Sequence, residues 1–472
     1  MITAMRSAYG PHLTRSLLRV LIVVALGGVS FTARAVAGEA WRVSVFQADV
    51  TPPIGHPLLA ISSSDSRARR IEDPLSARGF VLHGPRRAIV LVGVDWCELR
   101  NDAYARWREV LAQAAGTTPA RVLVSCLHQH DAPYFDLSAQ KLLAASPGGG
   151  MICDPEFHEA AVQRVARALK ESLPASRNVT HVGLGRARVD RIASSRRIEL
   201  PGGKVTFGRF SRSLNPEVRA LPEGEIDPWL RTVSLWDGET PVVAVSAYAC
   251  HPMSHYGSGD VSGDFINMAR ARREQDLPGV FQVYLTGCAG DVTAGKYNDG
   301  SKSNRPVLAE RLHAAMAEAW RVTERRALET ITCRSVPMLL PHGETPELQP
   351  DALRRQLADP QESFVHRVHA ALGLSSFNRN PAGHSIDLQV IDFARAQLVL
   401  LPAETFVAHQ LLAQRLRPDT FVMAVGFGEC APGYIPTDQA FREGFREEHG
   451  YCWVAPGAER IIGEALKKAL AR

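Results

Sequence analysis

The stretch Arg121-Val122-Leu123-Val124-Ser125-Cys126-Leu127-His128-Gln129-His130-Asp131-Ala132-Pro133 decides how this chain is read. Its apolar start reads as a buried strand, Arg121 to His128, and two histidines follow at its end. Side chains on a strand alternate with period two, so His128 and His130 are expected on one side. A second apolar run, VVAVSAYACHP over 242–252, ends the same way at His251. Two strand-end histidines from distant parts of one chain can meet at one metal ion at the rim of an α/β sheet.

Elsewhere strands and amphipathic helices alternate. Ala88 to Asp95 reads as a strand, and Asp102 to Ala115 as a helix with Asn101 placed to cap it. Pro155 to Leu173 is a long helix capped by Asp154. Phe281 to Thr286 is a strand; Val307 to Arg325 and Gly457 to Ala471 are helices. The pattern implies an α/β fold with a mixed or mostly parallel sheet and flanking helices, in one large catalytic domain over residues 38–472. No repeat stands out. Residues 144–150, rich in glycine, read as a lid or a surface loop. Residues 343–383 read as an excursion with a short charged helix.

Residues 1–37 have a basic start (Arg6, Arg15, Arg19), an apolar stretch from Val20 to Phe31, and small residues up to Ala37. They read as a secretory signal, too short to span a bilayer. Its four arginines and lack of acids mean that removal takes the formal charge from +5 to about +1. No basic stripe remains for nucleic acid. The protein is expected in the periplasm or outside the cell, with no stable membrane insertion after cleavage. In that setting some of the eight cysteines can pair, although Cys126, Cys250 and Cys288 sit in apolar runs typical of buried thiols, and no CxxC occurs.

Four more strings carry candidate chemistry. TGCAGDVTAGKYNDGS (286–301) is a glycine-rich turn with Asp291 and Thr293. LVLLPAE (398–404) ends a strand at Glu404. GYIPT (433–437) and HGYCW (449–453) each place a tyrosine beside glycine. Asp264, in VSGDF (261–265), is placed to cap a helix starting near Phe265. His366, His369 and His409 lie on helical stretches and read as surface or packing residues.

Together with DVTPPIGHPL (49–58), EDPLSARGFVL (72–82) and RAIVLVGVDWCEL (87–99), these strings resemble the neutral/alkaline (non-lysosomal) ceramidase family over its catalytic domain. LHQHDAP corresponds to that family's His-Thr-His-Ser-Gly-Pro. The resemblance implies a Zn2+ site held by His128, His251, Glu404 and Tyr434. It implies that His130 faces the scissile amide, that Tyr451 polarises the carbonyl, and that Arg196 in SSRRI is an active-site arginine. Thr293 falls where the family carries a serine, so a threonine nucleophile and attack by metal-activated water both stay open. The family's C-terminal β-sandwich is expected to be missing. The implied activity is hydrolysis of a linear amide in ceramide or a related small-molecule or lipid substrate. Thr293 and Asp131 depart from the family pattern, and the polar segment GKYNDGS (295–301), with no evident exposed aromatic cluster, gives the alternative of a more polar amide or ester on a sugar or amino compound. A metal-retaining binding protein without turnover is the third reading.

Overall fold

Strand Ile89–Val94 is buried on both faces, and its side chains divide with period two. Ile89 and Leu91 enter one apolar core; Val90, Val92 and Val94 enter another. Strand Val122–Cys126 divides likewise, Leu123 joining the first core and Val122 and Val124 the second. The computed structural model, which describes residues 40–58 and 66–471, shows what the two cores are. The first lies between the inner faces of three sheets, and the second lies mainly under the helices that cover them.

Sheet I contains β1 (Trp41–Asp49), β2 (Ser76–His83), β3 (Ile89–Val94), β4 (Val122–Cys126) and β5 (Arg177–Val179), in the order β5-β1-β2-β3-β4. Sheet II contains β6 (His181–Arg188), β7 (Trp229–Asp237), β8 (Thr240–Tyr248), β9 (Phe281–Thr286) and β10 (Glu324–Ala327), in the order β10-β6-β7-β8-β9. Sheet III contains β11 (Thr332–Met338), β12 (Ile386–Asp392), β13 (Ala396–Leu400) and β14 (Phe421–Val425), in sequence order. Each sheet is an antiparallel run that ends in one parallel pair: β3 with β4, β8 with β9, β13 with β14. A helix bridges each parallel pair, as parallel strands require. These are α1 (Asn101–Ala115), α4 (Asp264–Asp276) and α8 (Val407–Leu416). A second helix packs beside each: α3 (Pro155–Ser172), α5 (Asn304–Arg321) and α9 (Ala458–Leu470).

The expected α/β fold with mixed pairing and flanking helices is found, divided among three mixed sheets with antiparallel pairs in the majority. The same unit, three antiparallel strands, a helix, a parallel strand and a helix, occurs three times. Nothing in the sequence strings showed it, because the units share topology and differ in loop length.

The three edge strands β4, β9 and β14 meet along one seam. Cys126 N donates to the Phe427 carbonyl at 2.9 Å, and Gly426 N to the Thr286 carbonyl at 2.9 Å. Thr286 Oγ1 donates to the Leu127 carbonyl at 2.8 Å, which closes the ring between the sheets. Gly93 is required here, since a Cβ would stand 2.8 Å from the Tyr284 carbonyl.

Several local expectations change. Asn101 does not cap α1; it is the first residue of the helix, with φ +51°, and its amide donates to Asp136 and Ser375. Asp154 does cap α3, accepting from the amides of Glu156 and Phe157. Asp264 opens α4 with φ +56° and accepts from the Phe265 amide at 2.6 Å. The helix expected over 307–325 spans Asn304–Arg321, and Glu324–Ala327 forms β10 instead. Residues 343–383 are no polar excursion. They hold α6 (Pro350–Ala358) and α7 (Phe364–Arg379), which build a satellite core with α2 (Leu137–Ala144). Arg367 of α7 donates to the carbonyls of Pro147 and Gly149, which ties down the glycine loop that could have served as a lid. His409 is buried, whereas His366 is exposed. All eight cysteines are unpaired. The signal assigned to residues 1–37 lies outside the described residues. Among those described, no helix is long and apolar enough to cross a membrane.

His158, on α3, packs against the rings of Trp96 and Phe135, and burial pushes its pKa down to about 4. It costs nothing above about pH 6.5, where the unfolded chain is also neutral; the cost grows as pH falls toward 4, because only the unfolded chain then binds the proton. Burial raises Asp131 to about 6 and Asp291 to about 7, and these oppose it over part of that window. Comparison with His158→Gln isolates the histidine. Urea unfolding from pH 6.5 to 4.5 should show the parent losing stability more steeply than the variant, by up to ~1.4 kcal/mol per pH unit. At the seam, Thr286→Val should cost about 1–2 kcal/mol by the same measurement, since it strips a buried carbonyl of its donor.

Candidate metal centre and active site

Each sheet sends one side chain from a parallel-pair strand to a common point. His128 follows β4, His251 follows β8, and Glu404 follows β13. Their ligating atoms lie within 4.8 Å of one another, and all three residues are buried. His251 Nε2 is 2.9 Å from Glu404 Oε2, and His128 Nε2 is 3.5 Å from the same oxygen. The Glu404–Thr405 segment is held by parallel pairing with Tyr434–Ile435.

Period-two alternation does not place the histidines, contrary to expectation. His128 lies two residues past the strand, with φ +68°. Phe427 (φ +57°), stacked 4.4 Å from the His128 ring, and Ala403 (φ +50°), beside Glu404, share this uncommon conformation. Three non-glycine residues in the left-handed region around one point mark a site whose backbone is held in place by its surroundings. His130 reaches the cluster all the same, its ring 5.2 Å from that of His128.

The hydrogen bonding defines the charge the site needs. His128 Nδ1 faces the Cys97 carbonyl at 3.0 Å, and His251 Nδ1 faces the Ala289 carbonyl at 2.6 Å. Each Nδ1 therefore carries its proton, which leaves the Nε2 lone pairs turned toward a carboxylate oxygen. Acceptor against acceptor is stable only with a cation, a proton or a metal ion, between them. Burial and the Arg196 charge lower His251 to about 4, so it stays neutral, as a ligand must. Burial works to neutralise Glu404, but His128 and His251 outweigh it and hold the carboxyl well below its usual range. Two imidazole nitrogens and a carboxylate oxygen form a donor set that fits a divalent metal with a position left open.

Around this point, Arg196 donates to the Tyr434 hydroxyl at 2.7 Å and stands 3.4 Å from His251 Nε2, while its Nε has no protein partner. Tyr434 is thus beside Glu404 and Arg196, and burial raises its pKa. Both ring nitrogens of His130 are buried without a partner, and burial together with its histidine neighbours keeps it neutral. Two expected members are turned elsewhere. The buried Thr293 hydroxyl donates to the Phe210 carbonyl at 2.8 Å and accepts from Gly295 N at 3.2 Å. The Tyr451 hydroxyl donates to Glu98 Oε2 at 2.9 Å, accepts from Arg100 at 2.5 Å and bonds Tyr134.

Reading the sequence missed Glu98 and Arg100, although three charged residues inside the run VGVDWCELR were a visible signal. It also missed the mouth. Phe210 and Tyr256 are 46% and 41% exposed, and Leu214 is 73% exposed. Tyr256 bonds Ser211 at 3.2 Å and stacks edgewise on His130, with ring centres 4.9 Å apart. Partly exposed aromatic rings therefore do lie beside the centre, Tyr256 against His130 and Phe210 against His449. The polar groups of GKYNDGS are occupied within the protein. Lys296 binds the carbonyls of Arg219 and Leu221, Tyr297 binds Glu223, and Asp299 binds Ser301. Buried Asn298 donates to the carbonyls of Ser211 and Ser254, stapling the two mouth loops together. Asp131 accepts from the Gly257 amide and anchors the same loop.

The architecture is that of a mixed α/β protein with a three-sheet core and a buried His2Glu cluster at the strand ends. Solved structures share the fold, two of them as follows. Neutral ceramidase from Pseudomonas aeruginosa is 16% identical, with a TM-score of 0.68 over 91% of this chain and 74% of that one. A ceramidase complexed with C2 is 17% identical, with the same TM-score and coverage. No family model and no curated protein matches the chain. The chain has the ceramidase fold.

Chelator-stripped protein should regain a divalent ion on titration, with the melting temperature rising. The gain amounts to about 4 kcal/mol when free ion exceeds its Kd a thousandfold. His251→Ala should abolish both the uptake, measured by elemental analysis, and the thermal shift.

Proposed function

We propose that the protein is an exported, zinc-dependent amidohydrolase that cleaves a linear N-acyl amide bearing an apolar chain, ceramide being the type substrate. The single observation that carries this is the meeting of His128, His251 and Glu404 from three sheets beside His130, whose two ring nitrogens are buried without a hydrogen-bond partner. The ceramidase fold supports it. Export, to the periplasm or beyond, rests on the basic-then-apolar reading of residues 1–37.

His128, His251 and Glu404 would hold zinc, with Tyr434 alongside. When bound, such an ion supplies Lewis acidity toward the amide carbonyl and acidifies water. The residues supply the rest. Neutral His130 can take the proton from the attacking water at one ring nitrogen and release it to the departing amide nitrogen. The water oxygen bonds the acyl carbon, the C–N bond breaks, and a carboxylic acid and an amine leave. Arg196 Nε, free of protein partners, is available to donate to the oxyanion as it develops. Thr293, its hydroxyl already spent on the loop that carries Phe210, serves this reading as a support for the mouth. The water route is favoured on that ground over a threonine nucleophile. Phe210 and Tyr256 offer apolar surface beside the centre, and the internal bonding of GKYNDGS removes the reason to prefer a polar substrate.

Purified protein should release fatty acid from ceramides and other long-chain N-acyl amines, and leave N-acetyl sugars uncleaved. The reverse preference would sink the substrate assignment, and no turnover in metal-loaded protein would favour a binding role. His130→Ala should lower kcat about 10²–10⁴-fold while retaining metal. Thr293→Ala should keep a measurable rate; a fall to background would make the threonine the nucleophile.

A further inference from the structure

We propose that Glu98 is a positioning residue for the metal centre, a carboxylate behind His128 that fixes the imidazole's protonated Nδ1 and strengthens Nε2 as a ligand. This rests on the reading of the cluster as a zinc site.

Glu98 and Arg100 are completely buried. Burying such a pair is expensive, and apolar residues would stabilise a core as well or better. Arg100 is thoroughly satisfied: it reaches Glu98 at 3.3 Å, Asp136 at 3.2 Å, Tyr451 at 2.5 Å and the Ala431 carbonyl at 2.6 Å. Glu98 is not. Its Oε2 takes the bonds from Arg100 and Tyr451, and its Oε1 has no hydrogen-bond partner. A buried carboxylate oxygen left without a partner calls for a reason. Oε1 stands 3.7 Å from His128 Nδ1, on the side opposite the Nε2 that faces Glu404.

His128 is thus fixed from three directions. Phe427 stacks on its ring, the Cys97 carbonyl takes the Nδ1 proton, and Glu98 sets a carboxyl oxygen beyond it. Burial raises that carboxyl to about 7, while the Arg100 charge and His128 pull it toward the ionised form. A carboxylate or carbonyl behind a ligating histidine sets its tautomer and raises its basicity. Arg100 and Tyr451 then have a common purpose: they clamp one oxygen of Glu98 so that the other stays aimed at His128, and Tyr134 bonds the Tyr451 hydroxyl from behind. This also explains why the Tyr451 hydroxyl lies in that network.

The test is zinc affinity, measured on stripped full-length protein by competition with a chromophoric chelator, with circular dichroism confirming that each variant is folded. Glu98→Gln keeps the shape and removes the charge; zinc should bind it about 10- to 100-fold more weakly. Tyr451→Phe keeps the carboxylate and removes one of the bonds that hold it, so it should weaken zinc binding by less than Glu98→Gln does. A merely structural Glu98 would shift the melting temperature and leave zinc affinity alone; a folded Glu98→Gln with parental affinity overturns the proposal. If Glu98→Gln does not fold, Glu98→Asp, which withdraws the carboxylate by one methylene, is read by the same criterion. A parent that binds no zinc overturns the metal-centre reading and this proposal together. Tight parental binding with an unaffected variant overturns only the role of Glu98.

Discussion

Three sheet edges meet in this protein, and each exposes backbone groups that the other two must pair. An unpaired edge buried away from water is costly, and an exposed one invites association. The bonds from Cys126 to Phe427, from Gly426 to Thr286 and from Thr286 to Leu127 settle both problems in one ring. They also fix where the strands end relative to one another. Since His128, His251 and Glu404 sit just past strands that belong to these edge pairs, aligning the edges aligns the side chains. The candidate centre is a by-product of sheet closure, and no single sheet could build it alone.

The parts of the site that follow an apolar run could be read from the sequence. His128, His251 and Glu404 each end such a run, and burial on both faces makes the runs conspicuous. The alternation argument for His128 and His130 failed in its reasoning, because the chain leaves strand geometry before His128 and turns through a positive φ. The threefold recurrence of the strand–helix unit stayed hidden, since topology leaves little trace in short strings. Phe210 and Tyr256 stayed hidden for another reason: a surface assembled from two loops has no sequence pattern. Polar residues in GKYNDGS misled because composition does not say whether a lysine or a tyrosine faces a ligand or a neighbouring carbonyl.

Electrostatic balance links the centre to its surroundings. Glu404 and Glu98 flank His128 on opposite sides, and Arg196 and Arg100 stand behind Tyr434 and Glu98. Charges of both signs are held by other buried groups and do not rearrange freely. A site of this kind has its dipoles in place before a substrate enters, which is where enzymes obtain much of their rate. The left-handed backbone at His128, Ala403 and Phe427 carries a conformational cost that the closed ring of edge bonds holds in place.

The eight thiols bear on how such a chain must mature. None is bridged, and seven are buried. Once folded, the protein offers oxidants little beyond a half-covered Cys333. While unfolded, it offers all of them. In a compartment that forms disulfides, survival then becomes a race between collapse and mispairing, decided in the moments after synthesis or translocation. On the proposed export, burial of seven thiols takes the place that cross-links hold in many exported proteins.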